Sequence, residues 1–91
     1  LKFRRKSRSK MVKVILRGPL SNTFGQSIFL VNDDNLISVL KNFDKFGLII
    51  DQGKVKPGYI VLVNGKDSRL LDTVTLGDSD VVEIIPINHG G

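Results

Sequence analysis

The chain closes with the stretch Val82-Glu83-Ile84-Ile85-Pro86-Ile87-Asn88-His89-Gly90-Gly91, in which a β-type apolar run meets a short tail. Because proline cannot continue a strand ladder, the last strand is expected to stop near Pro86. The two final glycines lack a Cβ and fit a narrow channel, which would bring a terminal carboxylate on Gly91 close to another protein's catalytic groups. That arrangement is typical of a substrate. For a Gly-Gly pair taken alone, a frayed end or a truncation is the alternative.

Two further β signals precede this stretch. Lys56-Pro57-Gly58 is a turn sequence, and the run Tyr59–Val63 after it is apolar at every position, which is typical of a central strand. Asn64-Gly65 then predicts a two-residue hairpin turn, because both residues tolerate positive φ angles. A brief return strand through Arg69–Leu71 would complete the hairpin.

The last strand is predicted at Val81–Ile85, after the polar turn Leu76–Asp80. Its period-2 pattern places Val82 and Ile84 on the face opposite Glu83.

The first part of the chain predicts another hairpin. Met11–Arg17 alternates apolar and cationic residues and stops at Gly18-Pro19. Thr23–Val31 resumes a β-type composition, with a bend or bulge at Gly25. We therefore expect strands one and two to pair.

One helix is predicted between the two groups of strands. Asp33-Asp34-Asn35 supplies N-cap candidates and places carboxylates at the positive end of the helix dipole. Apolar residues from Leu36 to Phe43 follow at helical spacing, and Gly47 is expected to end the helix in a left-handed conformation. Phe43 and Phe46 are interpreted as packing residues rather than as a ligand site.

The predicted element order is ββαββ(β), an α+β arrangement in which a mixed sheet of four to five strands packs on one main helix. The first and last strands are both long and β-prone, as paired central strands would be. We predict a β-grasp domain over residues 11–87, a flexible basic tail over 1–10 and an extended tail over 88–91.

The formal charge of +5 is unevenly distributed along the 91 residues. Six of the 14 cationic residues lie in Leu1–Lys10, which has no acidic residue, so the rest of the chain carries eight cations against 9 acids. The segment has too few apolar residues to offset the entropy of ordering, and we expect it to be flexible. It is either a solvated extension or a contact for RNA or another anionic surface.

Composition excludes several classes of protein. Apolar runs of about five residues are far below the ~20 needed to cross a bilayer, so we expect a soluble protein without membrane contact. The chain has no cysteine, which removes disulfides, thiolate metal sites and cysteine nucleophiles. A cytoplasmic location is the default expectation.

No catalytic constellation can be assembled from the sequence. There is no phosphate-binding loop or dinucleotide fingerprint, and the internal glycines lie at predicted turns instead. His89 has no second imidazole or thiolate with which to bind a metal. Asp78 and Asp80 are interpreted as turn residues rather than as an acid/base pair. We expect a non-enzyme that binds no metal and no cofactor.

Three motifs together resemble the ubiquitin-like sulfur carriers. They are the strand entry Lys56–Asn64, the turn Leu76–Asp80 and the close Ile85–Gly91. The Lys-Pro-Gly entry and the His-Gly-Gly end are most similar to the ubiquitin-related modifier branch, which serves tRNA thiolation. Pro86 before the tail is more similar to the small subunit of molybdopterin synthase. The resemblance covers Met11–Gly91 and implies a ubiquitin-like β-grasp.

The resemblance also implies that the chain is the substrate of an ATP-dependent activating enzyme. That enzyme adenylates the Gly91 carboxylate, a persulfide attacks, and Gly91 becomes a thiocarboxylate. In related proteins the sulfur acceptor is a tRNA wobble uridine, a molybdopterin precursor or a thiamine precursor. Alternatively, a target-protein lysine attacks the activated carbonyl and forms an isopeptide bond. His89 and Gly90 would help the activating enzyme recognise the tail, although an exposed tail residue is the simpler interpretation of His89.

Partner docking is expected on the sheet face away from the helix, where Val81 and Ile85 flank Glu83 beside the tail. The alternative is that these two apolar residues only cover the edge of a small core. We expect a monomer. The alternative function is a non-covalent β-grasp interaction or RNA-binding module that acts through Leu1–Lys10, with an incidental Gly-Gly end.

Overall fold

The first and last strands, β1 (Met11–Leu16) and β7 (Val81–Pro86), lie parallel to each other at the centre of a mixed sheet. The computed structural model describes residues 11–71 and 74–87 of the chain. The strand order is β2-β1-β7-β5-β6, with β2 at Ile28–Asn32, β5 at Tyr59–Val63 and β6 at Lys66–Asp67. All pairs except β1 with β7 are antiparallel. The predicted mixed sheet and the expected pairing of the first and last strands of the chain are confirmed.

The main helix, α2 (Leu36–Phe43), covers the inner face of the sheet. Its N-cap is Asn35, whose side chain accepts a hydrogen bond from the Ser38 N–H at 3.1 Å. Alternate strand residues point toward this helix and are buried: Val12, Val14, Leu16, Val61, Val63, Val82 and Ile84. Each such aliphatic side chain contributes about 1.5–3 kcal/mol by leaving water. A β-grasp core of one sheet and one main helix results.

The prediction of a strand over Thr23–Val31 was wrong in its first half. A short helix, α1 (Leu20–Phe24), precedes β2, and Gly25 ends it in the left-handed conformation at φ +84°. The helix buries Leu20, and the Phe24 ring packs edge-on to Phe29 with the ring centroids 6.2 Å apart. Tertiary burial of these two apolar side chains therefore outweighs the β-type composition of the segment.

The predicted end of the main helix at Gly47 was also wrong, because the helix stops at Phe43. The next residue, Asp44, is only 6% exposed, and its carboxylate accepts hydrogen bonds from three backbone N–H groups. Their donors are Leu48 at 2.9 Å, Ile49 at 2.8 Å and Ile50 at 2.9 Å. These bonds turn the chain out of the helix and into a small hairpin of β3 (Ile50–Asp51) and β4 (Lys54–Val55).

The hairpin at Asn64-Gly65 is confirmed, with φ angles of +52° and +86° and Val63 paired with Lys66. The return strand predicted at Arg69–Leu71 is wrong, because β6 is complete at Asp67 and a 3-10 turn covers Ser68–Leu70. The Asp67 carboxylate caps that turn by accepting from the Arg69 N–H at 2.9 Å. β5 lies inside the sheet as predicted, between β7 and the two-residue β6.

Four phenylalanine rings pack together where α1, β2 and the end of α2 meet. Phe43 lies 5.6 Å from Phe24 and 5.6 Å from Phe29, measured between ring centroids. Phe46 is 65% exposed, yet its ring also lies 5.6 Å from Phe24. The interpretation of Phe43 and Phe46 as packing residues agrees with these contacts.

Candidate functional site

The candidate site is the tail root, which is the pair Pro86 and Ile87 at the end of β7. Because β5 runs antiparallel to β7, the start of β5 lies beside the end of β7, and Tyr59 pairs with Pro86. The next residue, Ile87, donates its backbone N–H to the carbonyl oxygen of Gly58 at 2.7 Å. This hydrogen bond fixes the Ile87 backbone against the turn that precedes β5.

Two glycines shape this end of the sheet. Gly58 has φ +104°, which side chains rarely allow, so the Lys-Pro-Gly sequence before β5 is required by the turn that offers its carbonyl to Ile87. Gly18 has φ +59°, and a Cβ placed there would meet Cγ of Pro86 at 3.4 Å. The β1–α1 connection therefore lies directly against the tail root.

A shallow groove of about 430 Å³ opens beside this contact. It is lined by Arg17, Gly18, Pro19, Ile85, Pro86 and Ile87. Five of the six lining residues are apolar or glycine, and Arg17 is the cation at the rim. The groove is therefore mainly apolar, with one cationic side chain at its rim.

The predicted docking residues lie on the outer face of the sheet, away from α2. Val81, Glu83 and Ile85 are all half-buried, and Glu83 lies between Ile15 of β1 and Leu62 of β5. Its Oε2 accepts from Arg17 Nε at 2.9 Å and from Nη2 at 2.7 Å. The face is thus an apolar surface around an ion pair that is internal to the domain.

Sequence reasoning did not single out Arg17. Its partner Glu83 is 66 residues away in the chain, and the two meet because β1 and β7 are parallel neighbours. The sequence shows only an arginine at the end of the first strand and a glutamate in the middle of the last one. Without the strand register, nothing in the sequence indicates that the two side chains form an ion pair.

The remaining predicted site residues, His89, Gly90 and Gly91, lie outside the described residues, as does the basic segment Leu1–Lys10. Their roles and the domain boundaries remain predictions.

Asp78 and Asp80 are turn residues, as expected. Asp78 Oδ1 accepts from the Met11 N–H at 2.9 Å, while the two Asp80 oxygens accept from the Asn64 side chain at 2.9 Å and from the Gly77 N–H at 2.8 Å. In the described part of the chain, no group of three or more His, Cys, Asp or Glu side chains is placed to hold a metal ion. No helix within those ranges is long and apolar enough to cross a membrane.

The sequence model of Urm1 (ubiquitin related modifier) matches residues 5–91, which is most of the chain. The chain belongs to the ubiquitin-related modifier family. The match begins within the basic segment, six residues before Met11. It supports the resemblance seen in the Lys-Pro-Gly entry and the C-terminal motif.

Solved structures agree with this assignment. Urm1 of Sulfolobus solfataricus is 44% identical, covers 82% of this chain and 99% of its own, and superposes with a TM-score of 0.77. Urm1 of Trypanosoma brucei is 26% identical, covers 94% of this chain and 100% of its own, with a TM-score of 0.69.

A third structure, the BexX/CysO complex of Amycolatopsis orientalis, is 20% identical over 88% of this chain and 99% of that chain, with a TM-score of 0.72, and shows the shared fold alone. No curated protein matched the chain. As a member of this family, the chain is a ubiquitin-like modifier or sulfur carrier, a class of small proteins that are not themselves enzymes.

Proposed function

We propose that Gly91 is the working residue of this protein and that an ATP-dependent activating enzyme adenylates its carboxylate. The activated carboxyl then either takes up sulfur as a thiocarboxylate or is transferred to a lysine. The proposal takes Gly91 as the terminal residue of the working form. A cytoplasmic location is part of it.

The observation that carries the proposal is the anchored tail root. The hydrogen bond from Ile87 to Gly58 holds the last described residue at a fixed point of the domain. At about 3.5 Å per residue, the four residues after Ile87 can reach about 14 Å from that point. That is enough to carry a terminal carboxylate into a partner's active site while the domain stays outside.

The chemistry follows from the carboxylate itself. A Gly91 oxygen attacks the α-phosphorus of ATP, and pyrophosphate leaves, so the acyl carbon acquires AMP as a good leaving group. The terminal sulfur of a persulfide displaces AMP and forms an acyl disulfide. A second thiol then breaks the sulfur–sulfur bond, which gives the thiocarboxylate and a disulfide. If a lysine amine displaces AMP instead, an isopeptide bond forms.

The outer sheet face supplies the docking surface in this proposal. Ile85 lines the groove at the tail root, Val81 lies on the same face at the start of β7, and the Glu83 charge between them is already paired with Arg17. A partner that covers this face therefore does not bury an unpaired carboxylate, which would be costly. His89 and Gly90 then enter the active-site channel ahead of the domain.

Pyrophosphate exchange into ATP, catalysed by the activating enzyme of the same organism, tests the proposal. We expect exchange with the full chain and none after deletion of Gly90-Gly91, although the deleted protein stays folded. Deletion of Leu1–Lys10 is the matched control and should leave exchange unchanged. Exchange that survives the loss of Gly90-Gly91 would overturn the proposal. A chain whose activity depends only on Leu1–Lys10 would instead be the RNA-binding module.

Once adenylation is established, the acceptor can be identified. Sulfur transfer to tRNA, sulfur transfer to a molybdopterin-type precursor and conjugation to lysines are separated by supplying each acceptor to the thiocarboxylate form.

A further inference from the structure

The outer edge of β2 is one of the two edges of the sheet in the described part of the chain, and the other is the two-residue β6. Within the described ranges, β2 ends the strand order, and no strand pairs with its outer side. Edge strands of this kind offer backbone donors and acceptors to another chain.

The register shows which backbone groups face the open edge. Leu16 donates its N–H to the carbonyl of Ser27 at 2.8 Å, which fixes the alternation along the pair. Val14 with Phe29 and Val12 with Val31 are then the hydrogen-bonded pairs of β1 and β2. The backbone groups of Ile28 and Leu30 therefore point outward.

The side chains along the edge are unusually apolar for exposed positions. Leu30 is 61% exposed and Ile28 is 47% exposed, both on the outer sheet face. On the inner side, a groove of about 270 Å³ runs between β2 and α2, lined by Phe29, Leu30, Val31, Asn32, Asn42, Phe43 and Lys45. A strand added at this edge would therefore cover apolar side chains on the outer face of the sheet and apolar groove surface on the inner face.

One of the outward-facing backbone groups of β2 already has a hydrogen-bond partner. The Gln26 side-chain amide donates to the carbonyl of Ile28 at 2.7 Å, which occupies one of the outward acceptors. Leu30 has no such cap, so its N–H and C=O are the strongest attachment point. A pairing centred on Leu30 leaves the Gln26 bond intact, because a carbonyl oxygen has a second lone pair.

Charge at the two ends of the edge selects the occupant. Lys45 lies at the Phe29 end of the groove, because it follows Phe43, whose ring contacts Phe29. Asp33 and Asp34 follow the other end of β2 directly. The edge is therefore positive at its start and negative at its finish. A second copy of the same edge, turned antiparallel, matches both ends at once.

We propose that β2 pairs antiparallel with β2 of a second copy, with Leu30 opposite Leu30 about a twofold axis. Each Lys45 then faces Asp34 of the partner, and the two Leu30 side chains meet on the outer face. Such an interface is isologous and joins the two sheets into one. An edge of five residues buries far less surface than the roughly 1,200 Å² that is typical of a stable complex. The dimer is therefore weak and forms at high protein concentration.

This pairing is compatible with carrier function. The start of β2 and the end of β7 lie at the same end of the sheet, because β1 is antiparallel to β2 and parallel to β7. An antiparallel dimer places the two tail roots at opposite ends of the joined sheet. Both C-termini stay accessible.

Amide hydrogen exchange by NMR, from micromolar to millimolar protein, tests the pairing and its register. We expect the Leu30 amide to become protected as concentration rises, while the Phe29 and Val31 amides, already bonded to β1, do not change. Sedimentation velocity over the same range should show a monomer–dimer equilibrium. A Leu30 amide that exchanges equally fast at every concentration would overturn the proposal.

Substitutions distinguish this interface from non-specific apolar association. Leu30→Lys should raise the dimer dissociation constant by about tenfold or more, since an edge lysine opposes strand pairing. Leu70→Lys is the matched control at another exposed leucine, 82% exposed, and should have no effect.

Lys45→Glu should weaken the dimer by about fivefold, because two exposed ion pairs are lost. Combining it with Asp34→Lys should restore the affinity. If Leu70→Lys weakens the dimer as much as Leu30→Lys, or the double swap fails to restore it, the proposed interface is wrong.

Discussion

At the scale of single residues, Asp44 determines how the chain leaves the main helix. Its buried carboxylate satisfies the N–H groups of Leu48, Ile49 and Ile50, two of which belong to buried residues. We expect Asp44→Ala to lower the free energy of unfolding by about 3 kcal/mol, because buried donors lose a charged acceptor. Urea unfolding measures this.

Asp51→Ala, at an exposed carboxylate seven positions later, is the control and should cost little. Equal losses in the two variants would show that the Asp44 hydrogen bonds do not stabilise the fold.

Gly18 combines a left-handed backbone with a close neighbour. An alanine Cβ would lie 3.4 Å from Pro86, which is near ordinary contact, so the positive φ dominates. We expect Gly18→Ala to cost about 1–2 kcal/mol of stability. Gly77 has no positive φ and no atom within 4 Å of an added Cβ, so Gly77→Ala should change stability little. A Gly18 variant as stable as the Gly77 variant in urea would contradict this account of the tail root.

Asp67 is held in its charged form by Arg69. The Arg69 side-chain hydrogen bond, helped by the Arg69 backbone N–H, lowers the Asp67 pKa below its ordinary 3.8. A lowered folded-state pKa means that the contribution to stability is present above the unfolded-state pKa and disappears as pH falls through the folded-state value. The Arg69 side chain is largely exposed, so water screens the pair and the effect on stability is small.

The Asp67 carboxyl carbon, followed by NMR between neutral and acid pH, should therefore titrate below 3.8. Arg69→Gln should raise that midpoint and Arg17→Gln should not. A midpoint unmoved by Arg69→Gln would assign the low pKa to another cause.

At the scale of elements, the sequence predicted those whose pattern is local. The Asn64-Gly65 hairpin and the β7 alternation follow from turn chemistry and period-2 burial, which neighbouring residues specify alone. The helix α1 was missed because Thr23 and Phe24 favour strands in isolation. Pro19 before the segment and Gly25 after it were the available signal, since they match the preferences of helix starts and ends.

The outer face of β7 is the surface that we propose contacts the activating enzyme. Ile85→Glu should raise the KM of the activating enzyme for the carrier by about tenfold or more, as expected when a charge replaces an apolar contact at an interface centre. Because Ile85 points away from the core, the turnover number and the fold should change little.

Leu70→Glu, a charge introduced at an exposed leucine of the 3-10 turn, outside β7, is the control. An unchanged KM for Ile85→Glu would place the docking surface elsewhere.

At the scale of the whole molecule, the β-grasp class and the order of its main strands and main helix could be predicted, whereas the contacts that join distant segments could not. The Arg17–Glu83 ion pair and the Ile87–Gly58 hydrogen bond depend on strand register, which the pattern of one strand does not contain. The role of the tail stays a prediction that rests on residue types, Gly90-Gly91 after a proline-ended strand. The hydrogen bond that joins Ile87 to the Lys-Pro-Gly turn became visible only in the fold.

The central claim is that Gly91 is the residue that is activated and modified. Intact-mass spectrometry of the protein from its native source, under conditions that preserve thioacids, tests it most directly. We expect a form whose mass reflects one oxygen replaced by sulfur, or a target peptide carrying Gly91 on a lysine, and neither should form after deletion of Gly90-Gly91. A population that carries only the free Gly91 carboxylate, even after incubation with ATP, a sulfur donor and the activating enzyme, would contradict the claim.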